Sequence, residues 1–396
     1  MSNAFADFAD VASRSSVSDP PATVPDYGRI AVLGGGADAR LIAALCLAEG
    51  CDVTLFSAYG AELEAMRAAS GIALRGDGPV GSYQVDRDAA PSVQLTAELD
   101  RAVQGAEVIF LTGPVHKQRT YAMVLADHLA DGQVLVLPQG RSLGALEAAW
   151  FLRIGGATAD VTLVEMQGLP FWIEAQGAVL NLSTAAPVAA ATLPSGRAPV
   201  LAGLAKLLLN LAPRDSVLSS GFADGSALVE FPALLMSGPA LGSGAVPVPM
   251  GGQPLPENQT FAALIGPEQR NVIDRLAEER RAVAKAFGVR DLPETPDWIE
   301  THAGAERGAG ARAVPSATDT KAMLRDGVIG SLVPLCSAAQ LAGVAAPVTG
   351  SMITLASAVL GADVSAAGRR LETIGIDASD IDEARQVMDR IAMEGR

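Results

Sequence analysis

The sequence predicts an α/β fold in two parts: a doubly wound parallel sheet at the N-terminal end, then an all-α C-terminal domain. Three observations predict it. Residues 28–57 read as strand, glycine turn, helix and strand. Short apolar runs then alternate with helical stretches as far as Glu165. From about residue 196 only helical periodicity remains.

Taken in order, residues 1–26 are rich in Ala, Ser, Asp and Pro and lack the basic start and apolar run of a signal peptide, so they are read as a disordered tail. Ile30-Ala31-Val32-Leu33 is a buried parallel strand. Gly34, Gly35 and Gly36 follow, with Ala39 three residues on, then an apolar helix from about Leu41 to Ala48 that Gly50 stops. Val53-Thr54-Leu55-Phe56 closes the unit. Gly34-x-Gly36-x-x-Ala39 fits the dinucleotide fingerprint, with Ala at its third place. The chemistry needs small residues there. Gly34 turns the chain sharply, Gly36 lets the backbone approach a pyrophosphate, and Ala39 lets the helix pack close to the strand. The helix start, at Ala37 and Asp38, offers free N–H groups and a positive dipole end to phosphates. This is the Rossmann pattern.

A helix is expected over 61–69, short strands at Ile72–Gly76, Tyr83–Val85 and Leu95, and a helical patch at 102–106. Val108–Leu111 is a strong buried strand ending in Thr112-Gly113-Pro114; a helix covers 117–130. Val134–Leu137 is the next strand, ending in Pro138-Gln139-Gly140, followed by a helix over Ala145–Leu152 and a strand over Val161–Glu165. Ligands bind at the C-terminal strand ends of such sheets. The expected cofactor residues are therefore Gly34, Gly35, Gly36, Ala37 and Asp38 on the turn, Ser57 after the second strand, Thr112, Gly113 and Pro114, and further along Gly140 and Glu165. An acid that binds the ribose 2′-hydroxyl belongs about twenty residues past the glycines. That place is Phe56-Ser57, without an acid and with Arg67 a helix away, so NADP is the expected cofactor and NAD the alternative.

In the second half, Ala198–Leu211 and Gly221–Ser237 are expected helices and Pro239–Pro256 a Gly/Pro-rich loop. Glu268–Phe287 is a long amphipathic helix, with Val272, Leu276, Val283 and Phe287 on one stripe and Glu278, Glu279, Arg280 and Arg281 toward water. Residues 303–318 are read as a mobile loop, helices fill most of 319–361, and two shorter ones end the chain. The expected division is a tail over 1–26, a dinucleotide-binding Rossmann domain over 27–195 and a helical substrate domain over 196–396.

Of the 396 residues, 49% are hydrophobic and 18% charged, enough for a large core. The net charge of −15 argues against nucleic acid or an anionic membrane as partner. Cys46, Cys51 and Cys336 have no metal-ligand spacing, and an odd, sparse set suits a reducing compartment. Leu201–Leu211 is too short to span a bilayer and Gly327–Val348 is broken by Gly and Pro. A cytoplasmic protein without metal is expected.

With both halves in view, residues 28–376 resemble the octopine/nopaline (opine) dehydrogenase family. The C-terminal run carries most of the likeness: Asp326, Ser331-Leu332-Val333-Pro334, Gly343-Val344, Pro347, Gly368-Arg369 and Leu371 stand where that family has an acidic pair, Gly-Leu-Val-Pro, Gly-Val-x-x-Pro and Gly-Arg-x-Leu. Val164-Glu165-Met166-Gln167-Gly168-Leu169-Pro170-Phe171 is similar to the family's Glu-Thr-x-x-x-Pro-Tyr. The resemblance implies a second domain like the C-terminal domain of 6-phosphogluconate dehydrogenase. It also implies NAD(P)H-dependent reduction of the imine formed between an amino acid and a 2-oxo acid.

The resemblance further implies an acid–base centre at a His-Pro pair, supported by an Arg and an Asp five residues apart. Here the proline is Pro232, Phe231 holds the His place, Lys321 the Arg place, and Asp326 keeps the Asp. Phe231 cannot transfer a proton, which makes its neighbour Glu230 the leading acid–base candidate, since a carboxyl in an apolar pocket can have a raised pKa. Neighbours on a helix point about 100° apart, so Glu230 is otherwise just a polar helix residue. Lys321 either binds a substrate carboxylate or is solvated, and Asp326 either supports catalysis or caps a helix. His116, past Pro114, should lie near the cofactor crevice; His128 reads as surface, and His302 precedes the expected loop. Arg40, Arg119 and Arg141 lie near the crevice and could hold phosphates or carboxylates.

The function expected is NAD(P)-dependent reduction of an imine or related carbonyl. The alternatives are a hydroxy-acid dehydrogenase of the same architecture and a nucleotide-binding sensor that has lost catalysis. The expected partner is a small molecule of the 2-oxo acid and amino acid class, and a homodimer is left open.

Overall fold

The computed structural model describes residues 23–88, 91–238 and 259–393. The expected tail up to residue 22 and the expected loop at Pro239–Pro256 lie outside the described residues.

The chain enters through β1 (Arg29–Leu33), turns at the glycines into α1 (Ala37–Ala48) and returns in β2 (Asp52–Phe56). Gly34 has φ +134°, and a Cβ there would collide with the Thr112 hydroxyl, so only glycine fits the turn. α2 (Gly60–Ala68) leads to β3 (Gly71–Gly76), β4 (Gly81–Gln84) and β5 (Gln94–Thr96). Next come α3 (Leu99–Val103), β6 (Val108–Leu111), α4 (Val115–Leu125), β7 (Val134–Leu137), α5 (Gly144–Ile154) and β8 (Thr162–Met166). The wholly apolar runs of β6 and β7 are buried on both faces, as strands covered by helices on either side must be.

β9 (Phe171–Gln176) and β10 (Val179–Thr184) form a hairpin; β11 (Val188–Leu193), α6 (Ala198–Leu208) and β12 (Leu211–Pro213) follow. The main sheet has eight strands in the order β12-β11-β8-β7-β6-β1-β2-β5. Its chain order reverses between β1 and β6, the crevice where doubly wound sheets bind ligands. β11 runs antiparallel to β8 and β12 parallel to β11, so the sheet continues past residue 195, and α6 packs on α1 and β11. The change of character expected at 196 falls inside this first unit. The short strands expected at Ile72–Gly76 and Tyr83–Val85 are β3 and β4, but the second sheet they form with β9 and β10, β4-β3-β10-β9, was not expected; β9 and β10 are half-exposed, with polar residues interleaved, and show no long apolar run.

Beyond β12, the expected helix at Gly221–Ser237 is two: α7 (Val217–Ala223) and α8 (Ser226–Met236). The break is made by Asp224, whose carboxylate accepts both the Ser226 N–H (3.1 Å) and its hydroxyl (2.6 Å), and by Gly225, where a Cβ would collide with the Trp298 ring. α8 is buried from Ser226 to Leu235 and forms the spine of the helical part's core. Around it lie α9 (Pro267–Ala286), α10 (Thr295–Ala303), α11 (Ala317–Gly327), a π-turn over Val328–Leu332, α12 (Val333–Ala342) and α13 (Pro347–Leu360). Arg280 on α9 was expected to face water. It is instead fully buried, donating to the Gly221 carbonyl (3.2 Å) and the Ser331 hydroxyl (2.8 Å) beside Asp224. Glu279 accepts the Val348 and Thr349 N–H groups (2.8 Å each), capping α13. Residues 303–318, expected as a mobile loop, are tied down by bridges from Gly304 to Ala311 and from Thr260 to Ala313 and by the buried Arg312. The helical run Ala317–Ala342 is long and apolar enough to cross a bilayer, but its apolar window is 67% buried inside the protein, as a core helix is.

The C-terminal segment returns to the first unit. Arg369, fully buried, reaches Glu147 on α5, and α14 (Ile381–Met393) packs on α5.

Candidate functional site

The fingerprint opens into a groove of about 330 Å³ lined by Gly34, Gly35, Gly36, Ala37, Asp38, Ser57, Thr112, Gly113 and Pro114. A Cβ at Gly36 would meet nothing within 4 Å, and no side chain caps the N-terminus of α1. Open space over a helix start with uncapped N–H groups suits a pyrophosphate, so the residues present fit a dinucleotide.

A second pocket, of about 260 Å³, lies on the far side of Asp38 and Gln139, which line both cavities. Their side chains are bonded at 2.8 Å, so this pair forms the wall that the groove and the pocket share. Burial raises the Asp38 pKa, against the pull of this bond and of the Arg141 charge.

Arg141 stands at the junction. The π-turn positions it: the Ser142 N–H donates to the Gly330 carbonyl (2.8 Å), and a Cβ at Gly330 would press on the Arg141 side chain. Its guanidinium is buried, donates to the Ser226 hydroxyl and to Gln139 Oε1 (3.3 Å), and leaves Nε without a partner. Burial works to lower its pKa, but the charges of Glu230, Asp224, Asp326 and Asp38 outweigh this and raise it. Among the described residues no carboxylate lies within ion-pair distance of it, so a carboxylate ligand would fill a prepared place.

Glu230 faces this pocket. Its Oε1 accepts from Arg312 Nη2 (2.8 Å), and its buried Oε2 has no partner. Arg312 lies over the Trp172 and Phe261 rings, 4.3 and 4.2 Å from their centroids, which fixes its fork. Phe231, in the place expected for His, turns into the core instead: it is fully buried, with no room for a Cβ at Gly327 against its ring. One residue of helical offset therefore puts the carboxylate, and not the ring, in the cleft.

His302 also lines this pocket. Burial pushes its imidazole down to about 4, against the opposing pull of Asp224 and Glu230, so it is neutral at pH 7. Its ordinary pKa is near 6.5. Below that value the unfolded chain takes up a proton that the folded chain refuses until about pH 4. The stability due to neutral His302 is fully present above pH 6.5 and is lost as pH falls to 4, by about 3 kcal/mol in all. Urea titrations at several pH values should show a shallower loss over this window in His302→Asn; identical slopes would overturn the assignment.

The other expected residues divide. Asp326 lines the groove, whereas His116 lies outside the lining of both cavities. Their nearest atoms, Nδ1 and Oδ1, are 3.9 Å apart, too far for a hydrogen bond; neither atom has a hydrogen-bond partner, and Oδ1 also lies 3.7 Å from Arg325 Nε. Lys321 is exposed and lines neither cavity. Gly140 and Glu165, expected at the cofactor, support the loop beneath it. Gly140 has no room for a Cβ against Glu165, and its carbonyl accepts from Arg369. Glu165 is fully buried, accepting from the Ala145 N–H (3.1 Å) and the Ser220 hydroxyl (3.1 Å); burial pushes its carboxyl up to about 7. The room Ser57 was expected to leave for a 2′-phosphate is taken by Glu62, whose carboxylate accepts from the Ser57 hydroxyl (2.5 Å). Arg67 is engaged with Asp86 and Glu64 (2.8 Å each).

A family model described as NAD/NADP octopine/nopaline dehydrogenase, alpha-helical domain, matches residues 213–360. The opine dehydrogenase of Arthrobacter sp. (strain 1C) is 24% identical over 360 residues, which covers 87% of this chain and 94% of that one. A glycerol-3-phosphate dehydrogenase [NAD(P)+] of Mesorhizobium japonicum is 27% identical over 283 residues, covering 67% of each chain. Among solved structures, an octopine dehydrogenase with NADH and pyruvate superposes with a TM-score of 0.65 at 19% identity, covering 90% of this chain and 97% of that one. A yersinopine dehydrogenase with NADP+ bound gives 0.60 at 12%, covering 93% and 99%. At these identities the likeness to solved structures is one of fold.

Proposed function

We propose that this chain, which belongs to the octopine/nopaline (opine) dehydrogenase family, is an NAD(P)H-dependent oxidoreductase that reduces the imine formed between an amino acid and a 2-oxo acid. One observation carries the reading: the groove with the dinucleotide fingerprint adjoins, across Asp38 and Gln139, a pocket with a buried guanidinium that has no carboxylate in ion-pair distance beside a carboxylate with a free oxygen. An octopine dehydrogenase of the same fold has been solved with NADH and, separately, with pyruvate, L-arginine or agmatine, which supports this substrate class.

A nicotinamide dinucleotide would supply the hydride when bound. The turn at Gly34–Gly36 and the start of α1 would hold its pyrophosphate. Arg141 takes a substrate carboxylate, fixing the imine carbon toward the groove. Glu230 is held by Arg312 through Oε1 and presents Oε2 without a partner. Its Oε2 takes a proton from the incoming ammonium, which frees the nitrogen to attack the 2-oxo carbon, and returns it to the hydroxyl that leaves as water. The wall of Trp172, Phe171 and Leu169 limits water around the imine.

Oxidation of NADH and NADPH should be followed with pools of 2-oxo acids and amino acids. The expected product is a secondary amine joining the two acids. A hydroxy acid formed from the 2-oxo acid alone would replace this reading with a hydroxy-acid dehydrogenase, and tight nucleotide binding without any turnover with a sensor. Gly36→Val tests the groove. The protein itself accepts the side chain, because Gly36 has φ −71° and open space, so only the ligand is displaced. Nucleotide affinity should fall about tenfold or more with unchanged circular dichroism; unchanged affinity in the folded variant would sink the assignment.

A further inference from the structure

At the C-terminal end of β2 the fingerprint calls for an acid that accepts the ribose 2′-hydroxyl, and the chain has Ser57 there. A carboxylate arrives by another route. The Ser57 hydroxyl accepts the Tyr59 N–H (3.1 Å), so its own proton points to Glu62 Oε2 (2.5 Å). Glu62, in the first turn of α2, is thereby held over the end of β2 and against the glycine turn, where a Cβ at Gly35 would collide with its carboxylate. It lines the same groove as Gly34–Gly36.

Of the cations at or near the groove, Arg325 lines it and lies 3.7 Å from Asp326 Oδ1, and the other three are hydrogen-bonded elsewhere. Arg40 Nη1 donates to the Gly177 carbonyl (2.5 Å), its Nε to the Gly36 carbonyl (3.4 Å). Arg67 is paired with Asp86 and Glu64. Lys117 Nζ donates to the Tyr59 hydroxyl (2.8 Å).

We propose that Glu62, positioned by Ser57, selects NAD(H) over NADP(H): its carboxylate accepts a ribose 2′-hydroxyl and repels a 2′-phosphate. The selection rests on the groove being the dinucleotide site, and not on which imine or carbonyl is reduced. A phosphate placed there would meet the like charge of Glu62, held at the end of β2 by Ser57. A hydroxyl would gain a charge-assisted bond.

The test is equilibrium binding, read by nucleotide fluorescence or calorimetry without substrate. The wild-type protein should bind NADH about tenfold or more tighter than NADPH, a difference of about 1.4 kcal/mol per decade. Glu62→Gln keeps the shape and removes the charge; it should shrink that ratio about tenfold or more, mainly by tightening NADPH. Ser57→Ala releases the carboxylate and should shrink the ratio less. A wild-type preference for NADPH, or an unchanged ratio in Glu62→Gln, would overturn the proposal. Failure of both nucleotides to bind the wild type would remove the groove reading and this assignment together. Selective NADH binding without imine turnover would remove only the proposed reaction and leave Glu62 in its role.

Discussion

Replacing Arg369 with Met is expected to destabilise the protein by about 3–5 kcal/mol. Arg369 is fully buried, and its guanidinium spends every arm: Nε on Glu147 Oε2 (2.6 Å), Nη1 on the carbonyls of Gly140 (2.5 Å) and Ser142 (3.2 Å), and Nη2 on Gln118 Oε1 (2.6 Å). A Met fills part of the volume but leaves the 1% exposed Glu147 with one cation, Arg119 at 3.0 Å, and leaves two buried carbonyls without their donor. Those carbonyls flank Arg141, so the damage reaches the cleft, and substrate affinity should weaken along with the urea midpoint. Removing both charges, in Arg369→Met with Glu147→Leu, should recover part of the loss, because the buried carboxylate that has lost the nearer of its two cations is the larger component. A change under about 1 kcal/mol in the single variant would mean that the staple contributes no more than a surface ion pair.

Glu230→Gln is expected to lower kcat by about two to four decades while nucleotide affinity stays unchanged. The amide keeps the shape and can still face Arg312, but its free end can no longer accept a proton from an ammonium. Arg312 retains the His302 carbonyl and its two ring faces, so the pocket wall should persist. Melting temperature and circular dichroism separate a chemical loss from a structural one. Near-normal turnover in a folded variant would refute the role and direct attention to His302 and to the His116–Asp326 pair.

Much of the first unit was legible in the sequence. The runs Ile30–Leu33, Val108–Leu111 and Val134–Leu137 are apolar throughout, and only strands covered on both faces are built that way. The glycine turn was legible because Gly34 leaves no alternative at its φ. The hairpin of β9 and β10 was not, since half-exposed strands with polar residues interleaved resemble loops.

For the site, the sequence by itself located the glycine turn and helix start at which we propose the cofactor binds, because consecutive residues supply both. It also supplied Glu230 as a candidate, through the loss of His at Phe231. Only the tertiary structure decided the rest. Arg280 sits among charged neighbours on an amphipathic helix and still turns inward, because Asp224 lies buried beneath it. Arg312 and His302 carry no local periodicity that marks them, and they become pocket residues only when the segment after α10 folds back on Trp172 and Glu230. Glu62 occupies the place of a strand-end acid from a helix five residues on, a substitution in space that a spacing rule along the chain does not detect. Local motifs are written in consecutive residues because backbone geometry dictates them; a desolvated charge cluster is assembled from distant ones because each member needs a partner, and folding alone chooses which partner it meets.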